Sequence, residues 1–175
     1  MQSEGGVMQS GGGSMESGSG ESLDGPRYAE LHCTSNFSFL QGASHPEELV
    51  QRAHVLGYEA IAITDRGTLA GIVRAHGAAK QVGLKLIVGS HLEPEDAAPL
   101  VVWAADRTGY ASLCRLLTRG HARGGGCVLS YDDVAAHSAG LLAGVPLAAT
   151  MDRPPADGTA IDRVVAAVHR WREAF

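Results

Sequence analysis

Two short apolar runs, each ending in a polar cluster, constrain this chain more than any other feature. The first lies in Tyr28–Val50, YAELHCTSNFSFLQGASHPEELV, and the second in Glu59–Gly71, EAIAITDRGTLAG. Each reads as a buried strand that hands over to a helix. Their polar clusters are His32-Cys33-Thr34-Ser35-Asn36 and Thr64-Asp65-Arg66-Gly67, residue types that bind metals, protons or phosphates. In a β/α architecture, strand ends that face the same way bring such clusters together although they are far apart in sequence.

The alternation continues along the chain. Ser44 and Glu47 have the spacing of a helix-start capping box, with Pro46 in the first turn. Leu49, Val50, Ala53 and Leu56 then form an apolar stripe, and Gly57 ends the helix. The spacing predicts a strand over Glu59–Thr64, a helix over Thr68–Val82 closed by Gly83, and strands over Leu84–Val88 and Pro99–Ala105. A helix is expected from Thr108 to Arg119, and a short one opened by Ser130 and Asp133. Gly140–Val145 reads as a fifth strand and Met151–Thr159 as a loop. The last helix, Ala160–Ala174, is expected to carry Val164, Val165, Val168 and Trp171 on one face. Strands alternating with helices imply an α/β fold with mostly parallel strands. Four or five strands do not close a parallel barrel, for which about eight are the norm. The expectation is an open sheet or an incomplete barrel, with an uncovered strand edge that needs a partner or aggregates.

Bulk properties narrow the classes. The chain has 175 residues, enough for one domain with a packed core. Its net charge of −5 argues against a generally basic nucleic-acid binder. The three cysteines, Cys33, Cys114 and Cys127, form no CxxC pair, so neither a disulfide framework nor a zinc knuckle is expected, and reduced thiols fit a cytoplasmic location. Cys33 alternates away from the polar side of its strand and belongs in the core. No apolar run approaches the roughly 20 residues that cross a bilayer. Residues 1–27 are Gly/Ser-rich and low in complexity, and read as a disordered tail ahead of one domain over 28–175.

The wording of these segments, LHCTSNFSFLQGASHPEELVQRAHVLGYEAIAITDRGTLAGIVRAH, then GLKLIVGSHL, DRTGYASLCRLLTRG and GGGCVLSYDDVAAHSAGLLAGVPL, resembles the opening of a known domain. That domain is the PHP (polymerase and histidinol phosphatase) domain of bacterial C-family, error-prone DNA polymerases. The likeness runs from about Arg27 to Phe175. It implies the front of a distorted β/α barrel, truncated, joined in intact relatives to domains that synthesise DNA. It also implies DNA and those polymerase domains as partners, and lesion-tolerant synthesis as the parent activity. The polymerase carboxylates lie outside this sequence, so the chain itself is expected to be non-catalytic.

The resemblance further implies where metal ligands belong. Metal-binding members end the first strand in His-x-His and the second in Asp-His, and place a carboxylate after a Gly on the third. Here those places hold His32-Cys33-Thr34, Asp65-Arg66 and Gly89-Ser90-His91. Replacing imidazoles by a hydroxyl and a permanent cation removes ligands and adds repulsion. The favoured expectation is therefore no cofactor, with Arg66 paired to Asp65 in place of an ion. The alternative is a small standalone metal-dependent phosphoesterase holding one divalent ion, Zn or Mn, on His32, Asp65 and His91. Arg115, Arg119 and Arg123, spaced four apart, form a basic stripe that is either a solvated helix face or a contact to nucleic acid or a neighbouring domain.

Overall fold

The computed structural model describes residues 27–147 and 159–175. The expected tail up to residue 26, and the expected loop up to residue 158, lie outside them. Five strands, β1 (Ala29–Cys33), β2 (Ala60–Ile63), β3 (Lys85–Leu92), β4 (Leu100–Ala104) and β5 (Leu141–Gly144), form one sheet in sequential order. The helices are α1 (Pro46–Val55), α2 (Ile72–Val82), α3 (Arg107–Ala122), α4 (Tyr131–Ala135) and α5 (Thr159–Arg172).

β1, β2 and β3 pair in parallel, joined by α1 and α2 as crossovers. No helix separates β3 from β4, so the chain turns back and the next two pairings, β3–β4 and β4–β5, are antiparallel. Four of the five strands still share one direction, as expected, and the sheet does not close: β1 and β5 each have one strand neighbour among the described residues.

Local signals explain most boundaries, and two of them are corrected. α1 is capped by His45, whose backbone N–H donates to the Glu48 carboxylate at 2.8 Å. Pro46 takes the first helical position, so the box sits one residue later than the Ser44/Glu47 pair suggested. Glu47 is thereby free to pair with Arg74 on α2, clasping the two crossover helices. α2 begins at Ile72 instead of Thr68, because Thr68–Gly71 forms a turn in which the Ile72 N–H reaches the Leu69 carbonyl at 3.1 Å. Ser130 and Asp133 do open α4.

The core lies in two adjoining clusters. Val50 and Ala53 of α1, Ile72, Ala75 and Ala79 of α2, and Ile61 and Ile63 of β2 fill one, with Cys33 packed against it as expected. Leu100 and Val102 of β4, Leu113 and Leu116 of α3, Val134 of α4 and Trp171 of α5 fill the other. Each fully buried Leu contributes about 1.5–3 kcal/mol. On α5 the expected stripe is rotated: Ala167 and Trp171 are buried, whereas Val165 and Val168 are about half exposed. The rotation follows from polar anchors, since the Trp171 indole donates to the Ala98 carbonyl at 3.0 Å and Arg170 to the Asp96 carbonyl at 2.6 Å.

The sheet is strongly curled. The Trp103 indole of β4 donates to the Leu31 carbonyl of β1 at 2.7 Å. In a flat sheet those strands, three steps apart, would lie about 14 Å from one another, farther than an indole reaches. Two glycines make room for the ring: a Cβ on Gly89 would meet Trp103 Cδ1 at 3.0 Å, and one on Gly144 would meet Trp103 Cη2 at 2.8 Å. The Leu31 carbonyl is available because β1 bulges between Glu30 and Cys33, leaving it outside the ladder. The result is part of a barrel wall.

Candidate strand-end site

The bulge in β1 also displaces His32, which sits near the ends of β1, β2 and β3 where the polar clusters meet. The Thr64 hydroxyl lies 3.3 Å from the Cys33 carbonyl and 2.8 Å from His32 Nδ1, with which it shares a hydrogen bond. The other ring nitrogen, Nε2, faces His91, whose Nδ1 lies 3.5 Å away. The two rings are 5.3 Å apart between centroids. Burial lowers the His32 pKa below the ordinary value, with Glu30 opposing. Burial, then the neighbouring His32, lowers that of His91, while Glu93 raises it.

Asp65 lies beneath this pair and is 1% exposed. Its carboxylate accepts from the Ser35 N–H at 2.8 Å, the Ser35 hydroxyl at 2.7 Å and the Ser38 hydroxyl at 2.8 Å. Its carbonyl accepts from the Ser90 hydroxyl at 2.8 Å and the His91 N–H at 3.1 Å. The expected Asp65–Arg66 pair is therefore corrected. Arg66 points to the other side of the strand end and pairs with Glu93, in keeping with the alternation of neighbouring residues. Glu93 also stands 3.6 Å from His91 Nε2, a buried atom with no hydrogen-bond partner.

Of the three residues expected to converge on an ion, His32 and His91 meet. Asp65 is next to them in the fold, but it is buried and both its oxygens are bonded to serine donors. A divalent ion needs carboxylate and imidazole lone pairs aimed at one point with an open position. This donor set does not fit such a centre. Among the described residues no group of three His, Cys, Asp or Glu side chains is placed to hold a metal ion.

Beside the pair opens a cleft of about 410 Å³, lined by Arg66, His91, Glu93, His121, Cys127 and the Gly125–Gly126 turn. His121 Nε2 bonds the Gly67 carbonyl at 2.8 Å, so α3 buttresses the strand end. Burial raises the Cys127 thiol pKa, and that of Cys33 is pushed up to about 11. Sequence reasoning placed Ser35 and Thr64 in the polar clusters without giving them a role, and missed Ser38 and Glu93. Only Glu93 left a usable signal: it lies two residues beyond His91 along an extended chain, hence on the same side.

Of the two readings of the arginine stripe, the solvated face describes its exposure, since Arg115, Arg119 and Arg123 are all exposed, and two of the three also pair within the domain. Arg123 grips the buried Asp133 with both terminal nitrogens, NH2 to Oδ1 at 2.9 Å, and Arg119 Nε reaches the same carboxylate at 2.6 Å. The Arg123 guanidinium holds the Asp133 carboxyl well below the usual carboxylate range. Arg115 donates to the Ser112 hydroxyl at 3.3 Å on its own helix. Two of the three cations thus lock α4 onto α3.

The curled, open sheet with its polar strand ends defines a β/α-barrel-type domain, and residues 30–175 match the PHP domain model. The chain belongs to the PHP domain family, as its wording implied. It is 56% identical over 121 residues to the error-prone DNA polymerase of Rhodopirellula baltica, covering 68% of this chain and 11% of that protein. It is 48% identical over 155 residues to the error-prone DNA polymerase of Anaeromyxobacter sp. strain K, covering 79% of this chain and 13% of that protein. The chain thus spans only 11 to 13% of the length of these curated relatives. A solved structure described as a metal-dependent phosphoesterase from Bifidobacterium adolescentis is 27% identical, with a TM-score of 0.45, over 55% of this chain and 34% of that one.

Proposed function

We propose that this chain is the front PHP module of a C-family error-prone DNA polymerase, acting as a structural support for polymerase domains and performing no chemistry itself. In the intact parent, the activity is DNA-directed DNA synthesis, with lesion-tolerant replication and repair in the cytoplasm and with DNA and the polymerase domains as partners. One observation supports the non-catalytic part: the Asp65 carboxylate is buried and held by Ser35 and Ser38 as an internal brace. A hydrolytic centre needs that carboxylate free to hold an ion or activate water. The test is a primer-extension assay on the purified chain, with the Rhodopirellula baltica polymerase as positive control. Incorporation by this chain above a heat-killed sample would refute the reading.

A second reading, a small PHP-type phosphoesterase holding a single Zn or Mn, draws on His32 Nε2 and His91 Nδ1 facing one another with Glu93 nearby. Metal analysis of the purified protein and a phosphatase screen with His32→Ala and Asp65→Ala separate the two. Near-stoichiometric metal and turnover lost in both variants favour the phosphoesterase. Metal-free protein without turnover favours the scaffold.

A further inference from the structure

The middle strand of a five-stranded sheet should be its best-covered element. Yet Leu86, Ile87 and Val88 of β3 are only partly buried, whereas all four residues of β2 are buried. The register explains the difference. β3 changes partner halfway: Lys85–Val88 pair with β2, and Gly89–Leu92 pair with β4. Past Trp103, β4 diverges from β3, because the Ala105 N–H donates to the Gly140 carbonyl at 3.0 Å and Asp106 caps α3. Among the described residues, the first half of β3 therefore has a strand on one side only. Successive strand residues aim their N–H and C=O groups to alternate sides, so two of these four residues present both groups to the open side.

That open side walls a slot of about 820 Å³, lined also by Trp103, Arg107, Tyr110 and Leu142. Leu142 and Tyr110 are 60% and 45% exposed. The two cations of the slot, Lys85 and Arg107, form no hydrogen bond or salt bridge among the described residues. Its acid, Asp106, is engaged by the Gly109 N–H at 2.8 Å. Glu59, whose carboxylate feels Lys85, is already held by Arg27. Arg107 opens α3, whose first turn has no acid, so its charge faces the positive end of the helix dipole.

We propose that this slot takes an extended acidic segment of a partner protein, added as a short strand to the free edge of β3. An open strand edge is matched by another extended main chain, and four residues of it span about 13 Å. Acidic side chains would meet Lys85 and Arg107, and β-branched ones would cover the apolar lining. The chain's own segments fit less well. β5 carries no acid, and Glu30 of β1 folds back onto the His32 N–H at 2.9 Å. Residues 1–26 hold four acids but are rich in Gly, a poor strand former. The proposal stands on register and charge and is independent of the polymerase reading.

The test is fluorescence anisotropy of the whole chain with a labelled probe peptide, acetyl-Glu-Val-Glu-Val-Glu-amide. Saturable binding with a Kd below about 1 mM is expected. Two further probes carry backbone N-methyl groups, one on the valines and one on the glutamates. Because strand N–H groups alternate, only one of the two is expected to lose binding, by about tenfold or more. Lys85→Glu and Arg107→Glu are each expected to weaken binding about tenfold, and the double variant to prefer acetyl-Lys-Val-Lys-Val-Lys-amide. Arg107→Glu puts an acid where the α3 dipole favours one, so an undiminished melting temperature separates lost charge from lost fold. No saturable binding, equal loss with both methylated probes, or variants that bind like wild type would each overturn the proposal. Binding that appears only when Glu4, Glu16, Glu21 and Asp24 are neutralised together would overturn it too, by assigning the slot to the chain's own N-terminal residues. So would a dimer of the chain that the probe dissolves, which assigns the slot to a second copy.

Discussion

Truncating Asp133 to Ala is the sharpest probe of how the second half of the domain is held. The carboxylate is 4% exposed and accepts from Arg123, Arg119, and the Ser130 N–H and hydroxyl, both of the latter at 3.0 Å. A hydrogen bond to a charged group contributes about 1.5–3 kcal/mol net and a helix cap about 1 kcal/mol. The two guanidinium groups remain 38% and 58% exposed, so solvent screening discounts their share and frees them to rehydrate in the variant. The net expectation is a loss of about 2–3 kcal/mol, a urea midpoint lower by roughly 1 M. Arg123→Ala should lower the urea midpoint by less than Asp133→Ala does, and the double variant by less than the sum of the two. The pH dependence has a fixed sign. The folded-state pKa of Asp133 is depressed, so its stabilisation is present above its unfolded value near 3.9 and fades as pH falls through and below it. Urea denaturation at pH 7 and pH 3 measures both effects. Strictly additive variants, or a loss in Asp133→Ala below about 0.5 kcal/mol, would refute the view that this carboxylate locks α4 onto α3.

Other outcomes follow from the same geometry. Trp103→Phe keeps the ring but not the donor, so the exposed Leu31 carbonyl turns to water; a loss of about 0.5–1.5 kcal/mol in chemical denaturation is expected. Gly109→Ala would place a Cβ 1.9 Å from the Gly140 carbonyl oxygen, so the α3–β5 contact must separate; a melting scan should show one of the largest losses of any single surface-neutral change. His32 and His91 both have folded pKa values lowered by burial, so their contribution is present above about 6.5 and is lost as pH falls through the folded values. Melting temperature should therefore drop between pH 7.5 and 5, and His32→Gln should flatten that slope.

What the chain reveals of itself before folding differs by kind of information. The crossover helices and strands were legible because local signals agree: Pro46 starts α1, Gly83 at φ 73° closes α2, and Ser130 with Asp133 opens α4. The reversal at β4 was hidden, because nothing in Pro99–Ala105 records which side of β3 it will join. The convergence of His32 and His91 could be read from strand ends facing one way. The partners of Asp65 and Arg66 could not, since adjacent residues at a strand end diverge to opposite sides and their choices depend on Ser38 and Glu93, each over 25 residues away. The arginine stripe was half legible for a related reason: spacing predicts an exposed row along α3, but the acid that Arg119 and Arg123 answer, Asp133, belongs to another element. On α5, Val165 and Val168 looked like core until the Asp96 and Ala98 carbonyls fixed how the helix is rolled.

The indole that spans from the fourth strand to the first gives the domain an order of assembly. Leu31 is translated more than seventy residues before Trp103, so the N-terminal strand cannot take its final curvature until the hairpin is made. During synthesis the opening crossover units must wait, bent only loosely, for a latch that arrives late. Tryptophan emission from position 103, read in a Trp171→Phe background, should therefore report the moment at which the wall bends.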